Sequence, residues 1–343
     1  MDLSLSEDQQ AVVELFGSLL EKECPPECVR AAEPLGFDPR LWDQICAAGA
    51  PGMALPEKVG GGGMGALELA LVCEESGRRL APVPLVEHSA AARLLARLAP
   101  DHPRMADLAA GEAIAALGLH PAREGRLRLV PAGAVAKLVL GLDGDELVAA
   151  EADPPGETPA NLAASPLADR ELRTPTRQVL ASGPEARAAF DDALGEWRAL
   201  TAAALVGLSQ EAFELGLAYV KEREQFDRKI GSFQAVQHGM VDAFVPLDGA
   251  RLLARKAAWA NDAGRAGASR LAAMALLFCG ETAQRAAARS LHYHGGYGFS
   301  SEYDIQLYFR RAKGWLLALD DPSAEYQRLA DQLLGPARAP GSD

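Results

Sequence analysis

No stretch of the chain runs apolar for the roughly 18 residues that a membrane-spanning helix needs. Cysteine is scarce, with five residues in 343: Cys24, Cys28, Cys46, Cys73 and Cys279. The number is odd, and three of the five lie inside helical patterns. Cys24 and Cys28 stand four apart, but no His or Cys pair follows at metal-ligand spacing, so all five read as reduced and mostly buried. Positive charge is in deficit, 34 Lys and Arg against 47 Asp and Glu, for a net charge of −13. That balance argues against nucleic acid or an anionic membrane surface as the main partner. It leaves room for a local basic site that takes a small anion. The opening MDLSLSEDQQ is acidic and polar, unlike a signal peptide, and the expected location is cytoplasmic. The glycine run at 60–63 has no Gly-Lys-Ser/Thr after it and fits no dinucleotide fingerprint, so it reads as a tight loop feeding the next helix.

What is present is an Ala-rich chain, 49% hydrophobic and 24% charged, long enough for two or three domains. Ser6, with Gln9 three positions on, marks a helix start, and Pro25-Pro26 ends that helix. Asp38-Pro39 opens another, with Leu41, Trp42, Ile45 and Cys46 on its apolar face. From about residue 113 helical periodicity fades. Short apolar runs at 113–117, 127–130, 137–142, 146–150 and 177–180 alternate with Gly and Pro, as in a small, mostly antiparallel β domain. Helices return at about 192–220, 233–262, 266–293 and 323–334, enough for a bundle. The expected architecture is mostly α with a small β domain: 1–112 helical, 113–191 a reduced β domain, 192–343 a helical bundle.

Two stretches carry chemistry. Residues 219–238, YVKEREQFDRKIGSFQAVQH, sit between two helices. Gly231 permits a turn and Ser232 is placed to cap the helix starting near Phe233. Arg223, Gln225 and Phe226 then face Phe233, Gln234 and Gln237 across that turn. An Arg fork and amides beside a helix N-terminus suit a pyrophosphate; a solvated charged turn is the plainer alternative. Residues 291–311, LHYHGGYGFSSEYDIQLYFRR, place Gly295, Gly296 and Gly298 after a long helix. They read either as a glycine C-cap or as a backbone that lets a ligand approach.

In wording the first stretch closely resembles the signature of the acyl-CoA dehydrogenase family: an Arg, then Gln-Phe, a short turn, Phe-Gln and a further Gln. The resemblance implies that Arg223, Gln225, Phe226, Phe233, Gln234 and Gln237 grip the adenosine-pyrophosphate end of FAD held by a neighbouring subunit. The second stretch resembles the family's Gln-x-x-Gly-Gly-x-Gly element, which implies the same for Gly295 and Gly296, with Glu302, Arg310 and Arg311 following. His292 falls where the family has Gln. It either replaces part of the amide's bonding or, like His294, packs at the helix end. Residues 55–87 resemble the family's N-terminal helical domain, where this element lies along the acyl-binding side.

The departures matter as much. The family's Thr-Glu-Pro-x-x-Gly-Ser segment, which touches the flavin ring, has no counterpart; Thr158, Ser165, Thr174 and Thr176 lack its context. The family's catalytic Glu is absent. Asp320 or Asp321 falls within one residue of its place, yet Asp321-Pro322-Ser323 equally reads as a helix start. Glu196 lies near a second family position for the base, one residue out of register. The chain therefore resembles the smaller, non-catalytic subunit of the α2β2 acyl-CoA dehydrogenases of steroid side-chain degradation. That implies a homologous α subunit carrying the Glu, an acyl-CoA substrate, and electron-transfer flavoprotein as an electron acceptor. A self-sufficient homotetramer using Asp320 or Asp321, and a flavin-free structural partner subunit, stay open.

Overall fold

The computed structural model describes residues 4–335. Six helices come first: α1 (Glu7–Glu23), α2 (Pro26–Ala32), α3 (Pro39–Ala47), α4 (Ala66–Arg78), α5 (Leu85–Leu98) and α6 (Met105–Ala110). Ser6 and Gln9 form the expected reciprocal cap, and the Asp38 carboxylate accepts the Leu41 N–H at 3.1 Å. The glycine run folds back on 52–55: the Gly62 and Gly63 N–H groups donate to Gly52 and Leu55 carbonyls. A Cβ on Gly61 would sit 2.2 Å from the Leu55 oxygen. This loop is structural, as expected.

The middle region holds β1 (Ala115–Leu117), β2 (Arg126–Val130), β3 (Leu138–Asp143), β4 (Glu146–Glu151), β5 (Ala168–Glu171) and β6 (Gln178–Ser182). One sheet runs β1-β3-β4-β6, with only β1–β3 parallel, and β2 pairs antiparallel with β5. Five strands lie on the five predicted apolar runs. The strand β5, Ala-Asp-Arg-Glu, has too little apolar content to be seen. Its Arg170 is buried and donates to the carbonyls of Gly133, Ala136 and Ala152.

The last part contains α7 (Gly183–Glu222), a short hairpin β7 (Glu224–Gln225) and β8 (Arg228–Lys229), α8 (Gln234–Asp262), α9 (Ala268–His294), α10 (Ile305–Leu316) and α11 (Pro322–Leu334). Helix α7 begins at Gly183, nine residues before the expected start, because Pro184 sets its first turn and Ala186 and Phe190 are already buried. At 40 residues it is about 60 Å long. It crosses α4 almost backbone to backbone: a Cβ on Gly207 would lie 1.7 Å from the Glu74 carbonyl oxygen, and one on Gly77 1.9 Å from that of Ala204. The α4 N-terminus is capped from far away, by Asp262 at the end of α8, which accepts from Ala66 N–H at 2.7 Å and Leu67 N–H at 3.1 Å. One apolar core runs on from Phe16 through the β strands to Leu319. No helix among the described residues is long and apolar enough to cross a membrane. All five cysteines are free; Cys24, Cys73 and Cys279 are buried, Cys28 and Cys46 half-buried.

His88, buried in α5, joins three elements. One ring nitrogen faces the Leu108 carbonyl at 3.1 Å and the other accepts the Ala115 N–H at 3.2 Å, which fixes a neutral ring. Burial pushes its pKa down to about 4. Folding thus holds it neutral where the unfolded chain would protonate it, so stability is lost as the pH falls from about 6.5 toward 4. The expected loss is on the order of 2–3 kcal/mol. Melting curves at pH 7 and pH 4.5 check it, and His88→Gln should flatten that part of the slope.

Candidate functional site: an outward-facing anion surface and an apolar cavity

The α7–α8 connection is a tight two-stranded hairpin. Its turn residues, Phe226 and Asp227, both adopt left-handed backbone with φ of 55° and 58°, a conformation that costs a non-glycine residue roughly 1 kcal/mol each. Phe226 is 86% exposed at the tip, edge-on to Phe233 at 6.1 Å. Arg228 stacks over the Phe233 ring at 4.0 Å, a cation–π contact that orients it. Helix α8 starts at Gln234 with Phe233 in the cap position. Ser232 does not cap it: its hydroxyl turns back to the Lys229 carbonyl at 2.7 Å. No side chain caps α8; Val236 and Gln237 N–H donate to the Phe233 carbonyl, which leaves the N–H groups of Gln234 and Ala235 for a ligand or solvent. Arg223, Gln225, Gln234 and Gln237 are exposed. The Gln225 amide bonds the Glu224 carbonyl and the Gln237 amide that of Gly231. Among the described residues no carboxylate pairs with Arg223; its guanidinium sits 5.7 Å from the Tyr297 ring.

That ring belongs to the second stretch, which the fold brings alongside the first. Tyr219 stacks on His294 at 4.0 Å, and the Tyr293 hydroxyl donates to the Val236 carbonyl at 3.1 Å. Gly295 has φ +61°, open only to glycine without strain. Nothing lies within 4 Å of a Cβ built on Gly295 or Gly296, so their exposed backbone can be approached closely. The two histidines part company. His294 is buried and donates from Nδ1 to the Ser290 carbonyl at 2.7 Å, and burial lowers its pKa, so it is a packed neutral residue. His292 is exposed beside Tyr293 and remains available. His238 is exposed on α8, a surface group.

The surface thus combines a guanidinium with no carboxylate partner among the described residues, an open glycine backbone at Gly295 and Gly296, where the Gly295 N–H itself is bonded to the His292 carbonyl, and a helix N-terminus without a side-chain cap, which together fit a diphosphate. Arg310 and Arg311 are not part of it. Both pair with Glu33 at the end of α2, and Arg311 is buried. Their charge is spent on holding α10 to the N-terminal helices.

A separate cavity of about 310 Å³ lies between α4, α5, α7, α10 and the loop 161–167. Leu80, Val83, Leu85, Val86, Trp315 and Leu317 give it apolar walls. The loop is locked over it: Trp315 donates to the Ala163 carbonyl at 3.3 Å, and a Cβ on Gly314 would meet Ala163 N at 2.4 Å. The loop's hydroxyls turn inward. Thr158 donates to Ser165 O and accepts from Leu167 N–H, while Thr174 and Thr176 bond each other and Thr176 bridges Glu151.

The three carboxylates considered for catalysis lie elsewhere. Asp321 accepts the Ser323 N–H at 2.8 Å and caps α11. Asp320 accepts the Asp321 N–H and pairs with Arg328. Backbone hydrogen bonds hold both acids below the ordinary carboxylate range, a poor setting for a base. Glu196 is 3% exposed and pairs with Arg93 and Arg97. None of the three lines the cavity; the only carboxylate that does is Glu87. Sequence reading missed Glu87, and the signal was there: one acid in the first turn of an otherwise apolar helix start, Pro84-Leu85-Val86-Glu87.

Residues 6–105 match the acyl-CoA dehydrogenase N-terminal domain, and residues 188–317 match the acyl-CoA dehydrogenase C-terminal domain. Acyl-CoA dehydrogenase IpdE2 of Mycolicibacterium smegmatis is 32% identical over 331 residues, 95% of this chain and 98% of that one. IpdE2 of Mycobacterium tuberculosis is 33% identical over 334 residues, again 95% and 98%. Among solved structures, the ChsE4–ChsE5 complex from Mycobacterium tuberculosis superposes with TM-score 0.87 at 27% identity, over 98% of this chain and all of that one. The Tcur3481–Tcur3483 steroid ACAD superposes with TM-score 0.85 at 28% identity, over 96% and 98%.

Proposed function

The chain belongs to the acyl-CoA dehydrogenase family, and from that premise we propose that it is the non-catalytic half of a heteromeric, FAD-dependent dehydrogenase. The observation that carries the reading is the surface around Arg223, Gly295 and Gly296, complete in its anion-binding groups yet facing outward. A surface of that kind is finished by a second chain. FAD supplies the hydride acceptor for α,β-desaturation of a thioester. This chain's part is to bind its nucleotide end: Arg223 as a fork to the diphosphate, Gly295 and Gly296 as side-chain-free backbone that lets it approach, the start of α8 as N–H donor, Phe226 and Phe233 as apolar cover, with Gln225, Gln234, Gln237 and His292 at the rim. The proton at Cα is then taken by a Glu of a homologous α subunit, since Asp320, Asp321 and Glu196 are committed to a cap and to ion pairs here.

A steroid side-chain thioester is the substrate class we favour. The apolar cavity and the likeness to a steroid ACAD support it. Producing the chain alone and together with a homologous acyl-CoA dehydrogenase α subunit from the same source tests the proposal. The pair should co-purify yellow and desaturate a steroid side-chain CoA, and the chain alone should be colourless and inactive. A yellow, active preparation of the single chain would reject it in favour of a self-sufficient homotetramer. A colourless, stable pair would favour a purely structural partner.

A further inference from the structure

The floor of the cavity carries three polar groups whose bonding capacity the fold does not use up. Trp197 on α7 is 1% exposed and Thr201, one turn further, 6%. The Thr201 Oγ1 has no hydrogen-bond partner, and the Trp197 Nε1 faces the Glu87 carboxylate without a well-formed hydrogen bond to it; both residues line the cavity. Glu87, in the first turn of α5, lines the same space, and its carboxylate is met by its own backbone N–H and the Trp197 indole rather than by a cation. Leaving a buried donor unpaired costs about 1–3 kcal/mol, so such groups are found where something outside the fold completes them. An all-hydrocarbon occupant would leave the Thr201 hydroxyl bare and the indole and carboxylate only poorly satisfied. An oxygen at the same place could accept from the indole and the threonine hydroxyl, and a hydroxyl could also donate to the carboxylate.

We infer that Glu87, Trp197 and Thr201 form an oxygen-recognising subsite, so that the cavity selects acyl groups whose apolar body bears a hydroxyl or ketone over wholly hydrocarbon ones. The inference rests on the acyl-CoA reading above and narrows it to oxygenated ring or side-chain thioesters. The state of Glu87 agrees: burial pushes its carboxyl up to about 7, with the Trp197 indole opposing the rise, as for an acid kept near neutrality in an apolar wall. The preference arises because a site built to bond an oxygen rejects the analogue that lacks it.

The test uses the co-purified complex and three sets of probes: 3-cyclohexylpropanoyl-CoA, its ring hydroxyl derivatives and its ring ketone derivatives, oxygenated at ring position 3 or 4. Equilibrium binding is measured by calorimetry. The wild-type complex should bind an oxygenated probe roughly tenfold tighter than the plain one, the worth of about one net hydrogen bond. Thr201→Val, which keeps shape, and Trp197→Phe should each bring the ratio down toward one while binding of the plain probe holds. Glu87→Gln should reduce the advantage of the hydroxyl probes more than that of the ketones. Because the variants lie only in this chain, a preference that survives both Thr201→Val and Trp197→Phe belongs to the partner's site and overturns the inference. Equal binding of all probes overturns the inference and leaves the acyl-CoA reading standing. Failure of every thioester to bind overturns both.

Discussion

Gly207→Ala is expected to lower stability by about 3 kcal/mol or more, enough to leave much of the chain unfolded or insoluble. Alanine is normally the better helix former by up to about 1 kcal/mol, so the sign of the effect isolates packing from propensity. The added methyl would meet backbone on the facing helix, the Glu74 carbonyl at 1.7 Å and the Arg78 nitrogen at 2.7 Å. Backbone in a helix cannot swing aside as a side chain can, so α4 would have to back away along its length. Gly77→Ala should behave alike, for a Cβ there meets the Ala204 carbonyl. Gly249→Ala is the control: its nearest neighbour would be the Phe278 ring at 3.5 Å, an ordinary contact, and the change should be neutral or stabilising. Denaturant midpoints of the three variants check the set. Equal behaviour of Gly207→Ala and Gly249→Ala would refute the close-crossing account.

Arg223→Ala should weaken retention of FAD in the complex by about 1.5–3 kcal/mol, the range for a charge-assisted hydrogen bond. The flavin would then be lost on gel filtration while the two chains stay together. Arg223→Lys should recover part of the loss, since it keeps the charge without the planar fork. The arginine is exposed and unpaired in this chain, so its removal has little effect on folding. Flavin content unchanged in both variants would exclude a part for this surface in nucleotide binding.

The sequence showed α1, α3, α4, α7, α8, α9 and α11 and five of the six strands of the middle region, but not α2, α5, α6 or α10. It failed where a residue's reason lies far away in the chain. Nothing in the residues around Gly207 and Gly216 marks them as more than glycines that a helix tolerates. In the fold each is the contact point of a crossing, Gly207 against Glu74 and Gly216 against Ser290. Ser232 reads as a helix cap, but the chain turns one residue later and hands the position to Phe233, whose ring Arg228 holds. At the candidate site, Arg223 and the Gly295-Gly296 pair each stood out through a motif in their own local sequence, and the fold brings the two motifs alongside each other. Arg310 and Arg311 were not, because their partner Glu33 is some 280 residues earlier in the chain. The cavity floor was illegible for the same reason. Nothing local links Glu87 to Trp197 and Thr201 until α5 and α7 pack together.

The cap on α4 bears on how the chain comes to be made. Asp262, which closes the first turn of α4, is synthesised after some three quarters of the 343 residues. Until then α4 has neither that cap nor, for most of the time, the α7 face it is shaped to meet. Its buried row of Leu69, Val72 and Cys73 must wait in water or against a chaperone. Contacts of such long sequence separation form late and slowly. The N-terminal hundred residues, despite being nearly all helix, are thus expected to have no stable existence when released early from the ribosome.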